Sequence, residues 1–168
     1  MNYRMLAILV CGAGAGIAIA ADQLPHHKPG LWEMVGNFSQ KPMHEKVCLD
    51  ESTEKLMYQM GSNMNKQLCS KTDIHSTGSQ YTVDTVCKFG NSTRTSHGVA
   101  TFSSDTAYHT EITSHSEPAV AGHTDSKSTL DGKWVGACPA NMKPGDMLVT
   151  IEGAAEPMRM NLNDMGGK

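Results

Sequence analysis

The chain has 168 residues and a formal net charge of −3, with 14 lysines and arginines against 17 acidic residues. This near balance provides neither a basic stripe for nucleic acid nor a polybasic patch for anionic lipid. We therefore do not expect nucleic acid as a partner.

The N-terminal segment predicts export. Arg4 precedes an apolar run from Met5 to Ala20, which ends in the small-x-small pattern that a signal peptidase cuts. A membrane-spanning helix needs about 20 apolar residues, and no stop-transfer charges follow this run. We expect residues 1–20 to be a signal peptide and the rest to be an exported protein, in an oxidising compartment, that does not span a membrane after cleavage.

The first elements of the mature chain are predicted to be two strands and a helix. The turn pair Pro29-Gly30 introduces an opening strand at 31–35, and a second short strand ends at Cys48. Asp50 is placed to cap a helix over residues 50–64. The apolar side chains of this helix share one face and are expected to fill gaps in the core: Leu56, Met57, Met60 and Met64.

From Cys69 onward, short Thr-, Ser- and Val-rich runs alternate with turn residues, which predicts an antiparallel meander. The predicted fold class is mainly β (α+β), a curved sheet or half-barrel with one helix near residues 50–64 and two disulfides. We expect one domain over residues 21–146 and a partly flexible C-terminal tail over 147–168. The predicted strands are 70–76, 80–88, 93–102, 107–116 and 124–130, followed by a separate closing segment at 134–138.

Four cysteines of the mature chain allow three disulfide connectivities. A three-residue loop centred on Gly78 would place Cys69 opposite Cys87 in a hairpin, close enough for a bridge. This geometry favours Cys69–Cys87 and leaves Cys48–Cys138 as a long closure. The rival connectivity joins Cys48 to Cys69, which would staple the helix, and Cys87 to Cys138.

The two tryptophans are expected to anchor the core where the opening and closing strands meet, because a Trp side chain buries a large area. The alternative role for Trp32 and Trp134 is to stack on a ligand. If the opening and closing strands are neighbours, the sheet curls, and its concave face can hold an apolar ligand.

A series of short motifs resembles a known family. In order along the chain they are Lys28-Pro29-Gly30-Leu31-Trp32-Glu33, Val47-Cys48-Leu49-Asp50, Cys69, Val86-Cys87-Lys88, Gly132-Lys133-Trp134-Val135-Gly136-Ala137-Cys138-Pro139 and Met142-Lys143-Pro144-Gly145-Asp146-Met147. Their order and the cysteine spacing resemble the bacterial exported domain of unknown function called DUF3617. The resemblance implies a Gram-negative periplasmic or secreted protein with a β-rich fold. It implies no activity and no functional residues.

Histidines and methionines suggest copper, since both suit that metal as ligands. In a strand, His109, Glu111 and His115 share a face because side chains alternate. The hairpin about Ser104-Asp105 is expected to put His97 opposite Ile112, on the other face. No recognised metal-ligand spacing is present, so we expect no metal site and no cofactor; His109 and His115 are the candidate ligands.

No catalytic motif relates a nucleophile to a base in this sequence, and no Cys-x-x-Cys pair for redox exchange occurs in it. We therefore expect a protein that is not an enzyme and that binds a small lipophilic or envelope-derived ligand on a curved sheet. One alternative is a periplasmic copper- or other metal-binding protein. A second alternative is a cryptic hydrolase.

Overall fold

A computed structural model of the protein describes residues 26–38, 41–153 and 155–165. The predicted signal peptide at 1–20 lies outside these residues. The described part of the chain forms one open antiparallel sheet of nine strands with two helices, and contains no helix long and apolar enough to cross a membrane. The predicted fold class is confirmed: the protein is mainly β, with a meander, a helix after the second strand and two disulfides.

In the sheet, the first strand of the chain lies next to the last strand of the meander, and the second strand follows it. In chain order the elements are β1 Gly30–Phe38, β2 Lys41–Leu49, α1 Glu51–Leu68, β3 Cys69–Thr77, β4 Gln80–Phe89, β5 Ser92–Ser104, β6 Ala107–Val120, β7 His123–Gly136, β8 Asp146–Ile151, β9 Met158–Asn161 and α2 Leu162–Met165. In space the strands lie in the order β3-β4-β5-β6-β7-β1-β2-β8-β9, so β3 and β9 are the edges.

Helix α1 begins as the sequence predicts. Asp50 Oδ1 accepts a hydrogen bond from the Thr53 backbone N–H, and the Asp50 N–H donates to Thr53 Oγ1, both at 2.8 Å. The bond from the Thr53 backbone holds the pKa of Asp50 below its ordinary value. The helix continues past the predicted end to Leu68. Gly61 weakens a helix by only about 1 kcal/mol, which the contacts of the flanking turns can offset.

Strands β1 and β7 are neighbours, and Trp32 lies opposite Trp134, as predicted for the opening and closing strands. The separate closing segment is wrong, because β7 runs without a break from His123 to Gly136. Gly132 lies within β7 and is explained by a close contact between β7 and β6, not by a turn. A Cβ atom there would collide with the ring of Tyr108 on β6.

The core lies at the centre of the sheet, beneath the start of α1. Trp32 is 1% exposed and forms one buried cluster with Val47, Leu49 and Leu162. Leu162 lies in the segment that is expected to be a partly flexible C-terminal tail. Since β8 pairs with β2 and β9 with β8, these two strands belong to the same sheet, and Leu162 belongs to its core.

The disulfides join Cys48 to Cys138 and Cys69 to Cys87, the favoured connectivity. The hairpin that carries the Cys69–Cys87 bond differs from the predicted one in the length of its turn. The β3–β4 turn has two residues, with Thr77 opposite Gln80, and this register alone would leave the cysteines one residue out of line. A bulge between Cys69 and Lys71 shifts the register by one and brings the two cysteines opposite each other.

Candidate functional site

Helix α1 packs across one face of the sheet, which we call the inner face. Its Leu56 and Met57 contact the core cluster around Trp32. Because side chains alternate along a strand, every second residue of each strand points to this face. One row of the inner face crosses four strands in register: Ile74 on β3, Val83 on β4, Gly98 on β5 and Ile112 on β6.

A cleft of about 550 Å³ lies between α1 and strands β3 and β4; we call it the helix cleft. It forms because α1 starts after β2, in the middle of the sheet, and ends at Leu68, directly before the edge strand β3. Its volume falls within the range of about 300–1,000 Å³ found for small-molecule sites. Among its lining residues are Met57, Tyr58, Gly61, Asn65, Ile74 and Val83.

Gly61, which lines the helix cleft, has no backbone reason to be glycine. It sits within α1 without a positive φ, and a Cβ atom there would meet nothing within 4 Å. Gly98, on the inner-face row of β5 beyond the cleft, is similar: its Cβ atom would be 3.5 Å from Ile112 Cγ1, an ordinary contact. Each glycine costs about 0.5–1 kcal/mol relative to alanine, and Gly61 leaves space in the helix cleft.

Apolar side chains around the helix cleft stay accessible to solvent. Met64, one turn after Gly61, is 57% exposed, and Ile112, on the inner-face row, is 39% exposed. The expectation that Met64 fills a core gap is therefore wrong. The cause is the oblique path of α1, which carries its C-terminal half away from the core at β1 and β2.

An aromatic cage lies on the inner face beside the helix cleft, formed by Trp32, Phe102 and Tyr108. The ring of His27, from the segment that precedes β1, occupies it. The His27 ring centroid is 4.8 Å from that of Trp32, 5.3 Å from that of Tyr108 and 6.0 Å from that of Phe102. All three ring pairs meet edge to face, the arrangement that aromatic quadrupoles favour.

Glu54, on the first turn of α1, holds His27 in the aromatic cage. Its side chain is 7% exposed. Its Oε1 accepts the His27 backbone N–H at 2.6 Å and lies 3.0 Å from His27 Nδ1, while Oε2 lies 3.4 Å from the Nδ1 atom of His26. Tyr58, one turn later, also hydrogen-bonds to Glu54, and burial together with this carboxylate raises the pKa of the Tyr58 phenol.

Sequence reasoning missed Glu54 as a site residue. It treated the residue only as a charge near the positive end of the helix dipole. A usable signal existed: Glu54 stands three and four residues before Met57 and Tyr58, so it lies on their face of the helix. An acid on the apolar face of an amphipathic helix indicates a buried partner.

A second carboxyl group faces the same region from β2. Glu45 lies opposite Met34 of β1 and Val149 of β8, and burial raises its pKa. The Tyr108 hydroxyl lies nearby and donates to Met34 Sδ at 2.9 Å. Burial, with a smaller contribution from the Glu45 charge, raises the pKa of Tyr108. Two carboxyl groups, those of Glu54 and Glu45, therefore lie beside the aromatic cage.

The candidate metal ligands lie on the opposite, outer face of the sheet. His109 Nδ1 is 2.7 Å from Asp131 Oδ1, and His115 Nδ1 is 2.8 Å from Asp125 Oδ1. These hydrogen bonds raise the pKa of each histidine. Each histidine is therefore hydrogen-bonded to a different carboxylate across the β6–β7 pair. Within the described ranges, no group of three or more His, Cys, Asp or Glu side chains is placed to hold a metal ion.

The expected position of His97 is wrong. It lies opposite Thr113, on the same outer face as His109 and His115, and its Nδ1 atom is 2.8 Å from Asp84 Oδ1. The β5–β6 turn places Ser104 opposite Ala107, and a bulge before Ser104 then sets the register for the rest of the hairpin. A bulge of this kind leaves no clear signal in the sequence.

The fold and this site define a class of protein: an open antiparallel sheet crossed on one face by a helix, with a cleft beneath the helix and an aromatic cage beside it. The sequence identifies the family. Residues 27–138 match the model of DUF3617, described as a protein of unknown function, and the chain belongs to this family. Searches of curated proteins and of solved structures found no significant match to the chain.

Proposed function

We propose that this protein is a non-enzymatic binder of a small apolar or amphipathic ligand, which it holds in the helix cleft. The observation that carries the proposal is the helix cleft itself, an opening of about 550 Å³ with Met57, Ile74 and Val83 in its lining. Gly61 also lines it, and a Cβ atom there would meet nothing within 4 Å. The missing side chain weakens α1 and leaves this space open.

The lining of the helix cleft supports an amphipathic ligand, because it combines apolar side chains with polar ones that include Lys66 and Lys71. Met57, Ile74 and Val83 line it, and the exposed Met64 and Ile112 extend the apolar surface beyond it. A methionine side chain adapts to ligands of different shape because it is unbranched and polarizable. Tyr58 and Asn65 add polar groups that can orient a ligand.

We also propose that the protein works in the periplasm or outside the cell. Arg4 and the apolar run behind it support export, and two disulfides are suited to an oxidising compartment. Cell fractionation combined with the intact mass of the mature chain tests this proposal. A product that starts at Ala21, with no free thiols, is expected; a cytoplasmic product that retains residues 1–20 contradicts it.

Binding of N-phenyl-1-naphthylamine, an uncharged fluorescent probe, tests the ligand site. We expect saturable binding to the wild-type protein and about tenfold weaker binding to Gly61→Leu, which places a side chain in the cleft, a loss of about 1.4 kcal/mol. Asn63→Leu is the matched control, because it adds the same side chain to an exposed position of α1 that does not line the helix cleft.

Native mass spectrometry of protein purified from its own compartment provides the second readout. A mass above that of the two-disulfide chain would reveal a retained ligand and its class. The proposal fails if the probe does not bind to the wild-type protein, or if Gly61→Leu binds it as well as Asn63→Leu does.

A further inference from the structure

We infer that the aromatic cage is a binding site for the ammonium group of an amphiphile whose apolar tail lies in the helix cleft, and that His27 fills the cage when this ligand is absent. The inference rests on the proposed function and specifies the class of its ligand: an alkyl chain with a cationic head.

The geometry of the aromatic cage meets the requirements of a cation site. A cation attracted by a ring face lies within about 6 Å of the ring centroid. A group at the position of the His27 ring is within that distance of Trp32, Tyr108 and Phe102 together. A trimethylammonium group is similar in size to an imidazole ring.

Glu54 supplies the opposite charge. It is 6% exposed, and a carboxylate so buried needs hydrogen bonds or a cation. His27 provides two of its contacts, through the backbone N–H and through Nδ1, the latter at 3.0 Å. An ammonium group in the place of the His27 ring would lie at the same carboxylate oxygen and offset the loss of those contacts.

The residues that follow His27 are anchored to the sheet, and on its other side His26 Nδ1 lies 3.4 Å from Glu54 Oε2. The indole N–H groups of Trp32 and Trp134 donate to the carbonyl oxygens of Lys28, at 2.9 Å, and of Pro29, at 3.0 Å. His27 is the next residue toward the N-terminus. Its ring can therefore leave the aromatic cage by rotation at a single residue, without breaking these anchors or the pairing of β1.

The same aromatic surface already carries a cation. The ammonium group of Lys28 lies over the ring of Trp134, 4.0 Å from its centroid. Trp134 is the cross-strand neighbour of Trp32 in the aromatic cage. This contact shows only that the indole rings in this part of the sheet attract a positive charge.

The aromatic cage and the helix cleft are adjacent through α1. Tyr58 lines the helix cleft and hydrogen-bonds to Glu54, and the two residues are one helical turn apart. One extended amphiphile can therefore place its head against Glu54 and run its tail past Tyr58 toward Met57 and Gly61.

A matched pair of decyl amphiphiles tests this inference. Decyltrimethylammonium has a cationic head, and decyldimethylamine N-oxide at pH 8 has an uncharged head of similar size with the same tail. In titration calorimetry below the micelle concentration, we expect His27→Ala, with its cage open, to bind the cation about tenfold more tightly than the N-oxide. The wild-type protein should show the same preference with weaker affinity, because His27 competes.

Two charge variants in the His27→Ala background complete the test. Glu54→Gln should lower the affinity ratio severalfold and leave the smaller preference that the aromatic rings supply. Glu51→Gln, which removes an equal charge from an exposed position of the same helix turn, should leave it unchanged. Equal affinity for both amphiphiles in His27→Ala overturns the inference, and so does an unchanged ratio in folded Glu54→Gln.

The proposed function is judged separately, by the naphthylamine probe, and survives such a result if that probe still binds in the helix cleft. If His27→Ala or Glu54→Gln does not fold, the affinity ratio of the wild-type protein decides: a ratio of one overturns the inference.

Discussion

The centre of the sheet and its β3–β5 arm are built differently. At the centre, Trp32, Val47 and Leu49 are almost fully buried, and Cys48 is tied to Cys138. In the arm, the inner-face side chains Ile74 and Val83 are only half-buried beneath α1. The molecule gains its stability at the centre, which leaves the arm free to keep an open apolar cleft.

The largest expected difference between the two regions concerns their disulfides. Replacing Cys48 and Cys138 by serine removes a closure with a sequence separation of 90, whereas the Cys69–Cys87 closure has a separation of 18. In the chain-entropy model the losses are about 4–5 and about 3 kcal/mol. Urea unfolding of both double variants under non-reducing conditions measures these losses in the free energy of unfolding. Equal losses, or a larger loss for the variant without Cys69–Cys87, would contradict the view that the centre of the sheet supplies most of the stability.

A second comparison tests whether the last residues belong to the centre. Leu162 is 4% exposed within the core cluster, and Met165 is 55% exposed three residues later. We expect Leu162→Ala to lower the free energy of unfolding by about 2–4 kcal/mol and Met165→Ala to change it by less than about 0.5 kcal/mol. If thermal and urea unfolding show similar small effects for both, the segment after 147 is not part of the core.

Two glycine substitutions should act in opposite directions. At the centre, Gly132→Ala forces the Tyr108 ring off β7, so we expect a loss of about 1–3 kcal/mol. At the helix cleft, Gly61→Ala meets empty space and should add about 1 kcal/mol. Chemical unfolding measures both. A destabilised Gly61→Ala would show that this glycine has a structural role in α1 and is not explained by the space that it leaves in the helix cleft.

The smallest effect concerns the outer face. The hydrogen bond to Asp125 raises the pKa of His115, so the pair stabilises the fold fully below the ordinary pKa near 6.5 and less as the pH rises through the raised value. In a proton NMR titration, Asp125→Asn should lower the pKa of His115 toward that ordinary value. Asp73→Asn, a charge change on β3, should not, and equal shifts in both variants would indicate general charge effects.

Much of the fold follows from local patterns in the sequence. The cap at Asp50, the turn at Gly78 and the alternation in the meander predict α1 and the order of β3–β7 because each is a short-range preference. The expectation that the opening and closing strands meet rests on the two tryptophans, since side chains of this size are usually buried in a core. The pairing of Trp32 with Trp134 agrees with it.

Features that depend on bulges or on distant packing could not be predicted. One bulge puts His97 on the outer face, and another aligns Cys69 with Cys87 despite the shorter turn. Leu162 joins the core only because β8 pairs with β2, a contact between segments far apart in sequence. Glu54 becomes a site residue only when the segment before β1 folds back over α1.

Each of the two edge strands, β3 and β9, has a feature that hinders association with a second copy of the chain. An open sheet offers unpaired backbone groups on its outermost strands, where another molecule can add a strand and start aggregation. At one edge, the Cys69–Cys87 bond ties β3 covalently to β4, so β3 cannot be exchanged with a second copy by domain swapping. At the other, β9 has only four residues, too short a template for stable addition.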